Sequence, residues 1–320
     1  MRVRVTGVNR RPLLAIDSAS LYFRAYFGIP ESAARAPDGS PVNAVRGFTD
    51  MLATLIRTRK PDRVVCALDA SWRPEWRVAL IPSYKAHRVA VAPSVEEVPD
   101  TLVPQVPIIL ELLEAVGIPA FGVDGYEADD VLGTIAVTQP GPVEIASGDR
   151  DLFQLVDDAR GTRLLYCGRG VAKLEDADEA LVAAKYGVAP QRYADFAALR
   201  GDPSDGLPGV AGVGDKTAAR LVERYGGIED ILAALDDPAA GFAAGVRTKL
   251  LASRDYLTAA GPVVRVATDV KLPITDYDLP SAPADPDAVL ALAEKWNLAG
   301  PCQRLVDAIT EPSSTGAATR

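Results

Sequence analysis

Between Asp124 and Asp151 the chain sets two tight acidic clusters, Glu127-Ala128-Asp129-Asp130 and Asp149-Arg150-Asp151, on either side of a short apolar run. On a helix beginning near Tyr126, Glu127 and Asp130 are three residues apart and share a face, with Asp129 at its edge. The run Pro142-Val143-Glu144-Ile145-Ala146 reads as a strand, which puts Gly148-Asp149-Arg150-Asp151 in the turn after its C-terminal end. Carboxylates packed this densely repel one another, and they stay ionised near neutral pH only with a cation among them. A hard metal ion is the simplest candidate.

The single histidine, His87, narrows the chemistry further. It rules out a two-histidine zinc protease site and a histidine facial triad, and a serine triad would have to run through His87 alone. Oxygen ligands remain, and all-oxygen sites suit Mg²⁺ or Mn²⁺. Cys66, Cys167 and Cys302 are odd in number and far apart, giving neither a disulfide framework nor a zinc knuckle. They read as buried thiols.

The elements that must carry these acids follow a repeating pattern. Leu13-Leu14-Ala15-Ile16 is an apolar strand ending at Asp17, and Val64-Val65-Cys66-Ala67-Leu68 is another ending at Asp69. Helices alternate with them: one after Ser18, and one from the Asp38-Gly39-Ser40-Pro41 turn to Pro61. Three strands ending at Asp17, Asp69 and the Asp149 turn argue for an α/β fold with a parallel sheet, whose site lies at the carboxyl ends of the strands. One Asp after a strand is commonly only a helix cap. Three of them beside Glu127, Asp129, Asp130 and Asp151 argue for a metal site. Arg163 to Cys167 adds a further strand.

With 320 residues, 48% hydrophobic, the chain can bury a sizeable core. No apolar run approaches the roughly 20 residues that span a bilayer. Met1 to Arg11 lacks the apolar stretch of a signal peptide, so the expectation is a cytoplasmic protein. The net charge of −9 argues superficially against a polyanionic partner, but its distribution is uneven. Between Asp69 and Leu110, Arg73, Arg77, Lys85, His87 and Arg88 interleave with Trp72, Trp76 and Tyr84, interrupted by Pro74, Pro82, Pro93, Pro99 and Pro104. Trp72 and Trp76, four apart, fit a helix face on the core. Tyr84, Lys85 and Arg88 suit a phosphate backbone with stackable bases, on a segment expected to be partly mobile without a partner.

Asp202 and Asp205 add two acids before a glycine-rich turn at Gly209, Gly212 and Gly214 that opens a helix from Lys216 to Tyr225. A phosphate-binding P-loop needs Lys directly after its second Gly, whereas Gly209 and Gly214 are separated from Lys216 by Asp215, and no strand precedes the turn. Two helices joined by this turn instead form a helix-hairpin-helix, whose N–H groups meet phosphate without reading bases; Lys216 adds charge. Helices from Ile228 to Ala259, the segment Val263 to Leu279 and a helix from Pro286 to Trp296 read as bracing. Glu311 to Arg320 reads as a disordered tail.

From Leu13 to Leu279 the chain resembles the bacterial 5′ nucleases, the flap endonuclease and 5′ to 3′ exonuclease domain often fused to DNA polymerase I. The motifs are Ile16-Asp17 with Phe23-Arg24-Ala25, Tyr84-Lys85 with Arg88, Gly125 to Asp130, Gly148 to Asp151, Gly201-Asp202 with Ser204-Asp205, and Pro208 to Ala218. The resemblance implies a PIN-like α/β core over 1–170 with a helical arch over 70–104. It also implies a helix-three-turn-helix over 171–280 that binds duplex DNA, often with K⁺ in its turn, and a terminal helix with a tail over 281–320. It assigns Asp17, Asp69, Asp129 and Asp130 to one metal ion and Asp149, Asp151, Asp202 and Asp205 to a second, with Glu127 acting through water. Lys85, Arg88 and Arg24 are its phosphate contacts. Tyr84 and Arg77 face DNA, as do Gly209, Gly212, Gly214, Lys216 and Thr217. Two ions about 4 Å apart would drive in-line hydrolysis without a covalent intermediate. The implied substrates are DNA 5′ flaps, duplexes with free 5′ ends and RNA primers on DNA. The implied setting is a stand-alone, nucleoid-associated monomer working beside DNA polymerase and ligase. A P-loop NTPase and a non-catalytic junction-binding protein are the competing readings, and both conflict with the complete acidic set.

Overall fold

The computed structural model describes residues 11–90 and 95–311. Its centre is a six-stranded sheet in the order β3-β2-β1-β4-β5-β6, built from β1 (Leu13–Asp17), β2 (Arg63–Ala67), β3 (Ala120–Phe121), β4 (Val143–Ser147), β5 (Thr162–Tyr166) and β6 (Glu175–Ala177). The first five strands are parallel, and β6 returns antiparallel along β5. Strands covered on both faces read as unbroken apolar runs, and every residue of β1, β2 and β4 is buried. Strand order reverses between β1 and β4, and the crevice at such a switch point is where ligands bind.

Thirteen helices among the described residues enclose the sheet. Up to residue 186 they are α1 (Ser18–Gly28), α2 (Asn43–Arg59), α3 (Glu75–Leu80), α4 (Gln105–Val116), α5 (Ala128–Thr138) and α6 (Glu179–Tyr186). Beyond it they are α7 (Tyr193–Arg200), α8 (Asp215–Tyr225), α9 (Ile228–Ala234), α10 (Ala244–Ala252), α11 (Arg254–Val264), α12 (Pro286–Lys295) and α13 (Ala299–Thr310). Side chains alternate across a strand, so Leu14, Ile16, Val64 and Cys66 pack with α2, α4, α12 and α13, whereas Leu13, Ala15, Val65 and Ala67 pack with α5 and the helices from α7 to α11. The second helical unit therefore shares one core with the sheet. The strap after α11 returns to the sheet, where Val64 N–H donates to Tyr277 O (2.8 Å) and Leu279 N–H to Asp62 O (2.9 Å).

Several elements depart from the sequence reading. The sheet continues past residue 170, because β6 pairs with β5. The residues after Asp151 form a 3₁₀ turn, Asp151–Leu155. Trp72 precedes α3 and does not share a helix face with Trp76. The segment over 70–104 carries α3, a 3₁₀ turn at Ala86–Arg88, and a short antiparallel pairing in which Ala90 N–H donates to Val95 O (2.9 Å) and Glu97 N–H to Arg88 O (2.7 Å). Helix α13 lies in a stretch the sequence reading leaves unassigned; Pro301 fits its first turn, where a missing N–H costs nothing. Residues 1–10 and 312–320, where a signal-free start and a disordered tail were expected, lie outside the described residues, as do 91–94 of the arch.

Candidate functional site

Each acid at a strand end is held by local backbone chemistry. Asp17 closes β1 and caps α1, accepting from Ser20 N–H (3.0 Å) and from the Ser147 hydroxyl at the end of β4 (2.5 Å). Asp69, just past β2, accepts from Ala128 N–H (2.8 Å), the first residue of α5. Asp149 accepts from Asp151 N–H (2.8 Å), closing the turn after β4. With Asp129, Glu127, Lys85, Arg88, Glu96 and Phe23 these acids line a cavity of about 220 Å³ at the carboxyl ends of the strands. Arg24 reaches Gly148 from α1; its buried Nε has no hydrogen-bond partner. Asp149 repels Asp17 and Asp129 on the one hand and Asp151 and Asp205 on the other, and Asp202 acts on Asp151 and Asp205 in turn.

Four sequence-based assignments are corrected here. Asp130 was expected among the metal ligands, but it is fully buried. Its Oδ2 accepts from Arg77 (2.8 Å) and Glu127 N–H (3.1 Å), and its Oδ1 from Arg77 (2.7 Å) and Ala267 N–H (2.8 Å), so no lone pair faces the cavity. Helix α5 starts at Ala128, and the three-residue spacing of Glu127 and Asp130 is that of a capping box. Arg77 was expected on DNA, yet it is 2% exposed, paired with Asp130 and Glu127 and donating to Val263 O at the end of α11 (3.0 Å). Tyr84 was expected to stack on a base, yet it is 4% exposed and its hydroxyl donates to Glu127 (2.8 Å). Gly209 was expected at phosphate, but it is buried, and a side chain there would meet the Arg200 carbonyl at 2.5 Å.

Glu127 is consequently a hub, with one oxygen on Lys85 and the other on Arg77 and Tyr84. Burial works against the Lys85 charge, but Tyr84, Glu127, Asp205 and Asp69 around it outweigh burial and hold its pKa well above the ordinary lysine value. The lysine therefore faces the cavity as a cation. Its backbone N–H donates to Asp205 O (2.9 Å), Ser83 Oγ donates to Gly206 O (3.0 Å), and Arg88 donates to Ser204 O (2.7 Å) and Asp205 (3.2 Å). The arch thus rests on the loop that carries Asp202 and Asp205. Gly206 is needed there: its φ is +69° and a Cβ would collide with the Ser83 carbonyl. Glu96, which the sequence did not single out, enters the cavity from the returning limb of the arch. A lone acid in a proline-interrupted segment carries no spacing signal.

The acids meet the requirements of a hard divalent ion. Burial pushes the Asp17 pKa up to about 7, opposed by the Ser147 hydrogen bond and aided by Asp69 and Asp149. Burial raises Asp129 and Asp151 well above the ordinary range, with Asp149 the next contributor to each. The buried Oδ1 of Asp151 has no hydrogen-bond partner, so it is free to bind a cation. All the donors are carboxylate oxygens, the set that suits Mg²⁺ or Mn²⁺. Among the described residues no three acids converge into a ready-made cage. Mg²⁺ does not need one, since it is held by one or two carboxylates with water and substrate phosphate completing its shell.

The glycine-rich turn joins α7 to α8. Gly212 has a φ of +68°, and Lys249 donates to its carbonyl (3.4 Å). Gly214 caps α8 with φ −99°, nothing stands within 4 Å of a Cβ there, and Lys216 and Thr217 follow in the first turn. At this end of α8 Thr217 N–H donates to Gly214 O (2.9 Å), and Gly214, Asp215 and Lys216 are exposed.

A family model described as the 5′-3′ exonuclease N-terminal resolvase-like domain matches residues 12–187, and one described as the 5′-3′ exonuclease C-terminal SAM fold matches 188–287. A Streptomyces coelicolor protein named 5′-3′ exonuclease is 55% identical over 301 residues, covering 93% of this chain and 100% of that one. A Mycobacterium tuberculosis protein of the same name is 51% identical over 313 residues, covering 94% and 98%. The fold is similar to that of the bacteriophage T5 D15 flap endonuclease, solved as a pseudo-enzyme-product complex with DNA and metal ions, at a TM-score of 0.62 and 16% identity, covering 93% of this chain and 99% of that one. Matched from residue 12 to 287, with its acids gathered where the strand order reverses, the chain belongs to the 5′-3′ exonuclease family.

Proposed function

We propose that the protein is a structure-specific 5′ nuclease that hydrolyses DNA phosphodiesters at flaps or free 5′ ends. The observation that carries this reading is the facing of opposite charges across one cavity, with Asp17, Asp69, Asp129 and Asp149 on the sheet side and Lys85 and Arg88 on the arch. Those four acids, with Asp151, Asp202 and Asp205, would hold Mg²⁺ or Mn²⁺, which would supply water activation and charge neutralisation at the phosphate. Lys85 and Arg88, with Arg24 from α1, bind the phosphate and stabilise charge that grows in the transition state. Backbone N–H groups at Gly214, with Lys216, hold the duplex without reading its sequence. The arch above the cavity suits a free 5′ single strand passing beneath it. In this reading the α7–α8 turn carries K⁺, and the protein acts as a monomer in the cytoplasm, at the nucleoid. DNA polymerase and ligase complete the repair, and RNA primers on DNA are also substrates.

The test is incubation of an end-labelled 5′-flap duplex with Mg²⁺, with and without excess chelator. Cleavage near the flap junction that chelator abolishes supports the proposal. Tight junction binding with no cleavage under any divalent ion would establish a non-catalytic binding protein instead.

A further inference from the structure

The returning limb of the arch brings an acid to a place where the proposed reaction needs an anion from the substrate. Arg88 presents two edges. Its Nη2 is engaged by Ser204 O at 2.7 Å and Asp205 at 3.2 Å, whereas its Nη1 faces Glu96 at 4.0 Å, too far for a hydrogen bond. Glu96 is fixed there by strand pairing with Val89 and by the Ala90–Val95 and Arg88–Glu97 backbone bonds. Its side chain is 22% exposed and lines the same cavity as Asp17, Asp69, Asp129 and Asp149, a poor place for a carboxylate unless it answers a cation.

We propose that Glu96 is a specificity-determining residue, an internal stand-in for a backbone phosphate that occupies the free edge of Arg88 until a substrate phosphate displaces it. The long 4.0 Å pairing makes it displaceable. A phosphate oxygen that accepts from Nη1 at the usual charge-assisted distance of about 2.8 Å outcompetes it. Only DNA that is also anchored by its duplex at the α7–α8 turn holds a phosphate in the cavity long enough to do so. A loose single strand meets Glu96 as a repelling charge.

This rests on the reading of Arg88 as a phosphate contact, and the experiment separates the two claims. Steady-state cleavage of a 5′-flap duplex and of an unstructured single strand is compared for wild type, Glu96→Gln, Arg88→Ala, the double variant, and Glu97→Gln as an exposed neighbour with the same charge change. Expected for Glu96→Gln are a KM lowered about threefold or more on both substrates, an unchanged flap kcat, and a smaller flap-to-single-strand preference in kcat/KM. Glu97→Gln should leave that preference intact, and Arg88→Ala should erase the effect of Glu96→Gln. An unaltered preference in Glu96→Gln while Arg88→Ala is impaired overturns the Glu96 proposal alone. An Arg88→Ala protein indistinguishable from wild type overturns the phosphate reading beneath it. A lower kcat on both substrates in Glu96→Gln, with KM unchanged, would mean that Glu96 only braces the arch.

Discussion

Arg77 and Asp130 meet through two parallel hydrogen bonds, 2.7 and 2.8 Å long, in a site closed to solvent. The pair ties α3 at the foot of the arch to α5 under the acids, and through Val263 O to the end of α11. Removing one partner of such a pair strands the other charge, which costs about 3–5 kcal/mol. Arg77→Ala and Asp130→Ala should each lose stability on that scale in urea unfolding. Asp130→Ala with unchanged stability would return that residue to the candidate ligands.

Asp149 acts on both Asp129 and Asp151 and is exposed. Asp149→Asn should nearly abolish cleavage while duplex binding stays within a few fold, because the α7–α8 turn is untouched. Thermal melting in chelator should hold or rise, since one repelling charge is gone. Cleavage at wild-type rates over a Mg²⁺ series would remove Asp149 from the site.

The Asp17 pKa of about 7 in the folded protein lies above the ordinary 3.8. Between those values the folded chain holds a proton that the unfolded chain has released, so this group's contribution to stability is complete below about pH 4 and is lost as pH rises through about 7. A divalent ion needs the carboxylate and reverses the trend. The Tm gain produced by Mg²⁺ should therefore grow between about pH 5.5 and 8. A gain that shrinks over that range would contradict the assignment of Asp17 to the metal site.

Gly214 and Gly212 separate backbone strain from phosphate approach. A side chain at Gly214 meets nothing in the free protein, whereas Gly212 has a left-handed φ and Lys249 beside it. Gly214→Ala should keep Tm and weaken binding of all duplex sequences alike, read by fluorescence anisotropy. Gly212→Ala should lower both Tm and affinity. Undiminished duplex affinity in Gly214→Ala would move the binding surface elsewhere.

Lys85→Ala should slow single-turnover cleavage far more than it weakens binding, because a cation at the reacting phosphate works mainly in the transition state. Its stability cost should be visible as well, since Glu127 loses a buried partner. Equal single-turnover rates would take the arch out of the reaction.

The strand-end acids were legible because an apolar run that stops at Asp gives both the position of the residue and the direction of the strand, as at Ile16-Asp17. Asp130, Arg77 and Tyr84 were misread for one reason: residue type shows that a group is polar but not whether its partner is solvent or another side chain. Here those three answer one another through Glu127. Gly209 and Gly214 share a turn and a residue type, yet one admits a neighbouring backbone and the other leaves a surface open. The two-residue strand β3 is too short to leave a periodic signal, and Glu96 depends on an antiparallel pairing with Val89 that no residue pattern announces.

The seating of Ser83, Lys85 and Arg88 on the loop around Gly206 has a consequence for biosynthesis. Asp202 and Asp205 emerge from the ribosome long after the sheet and the arch. A nascent chain that stops short of Gly201 carries Asp17, Asp69, Asp129 and Asp149 but lacks the loop that seats the arch cations. The arch cations therefore gain their seat only once the second half of the chain is in place.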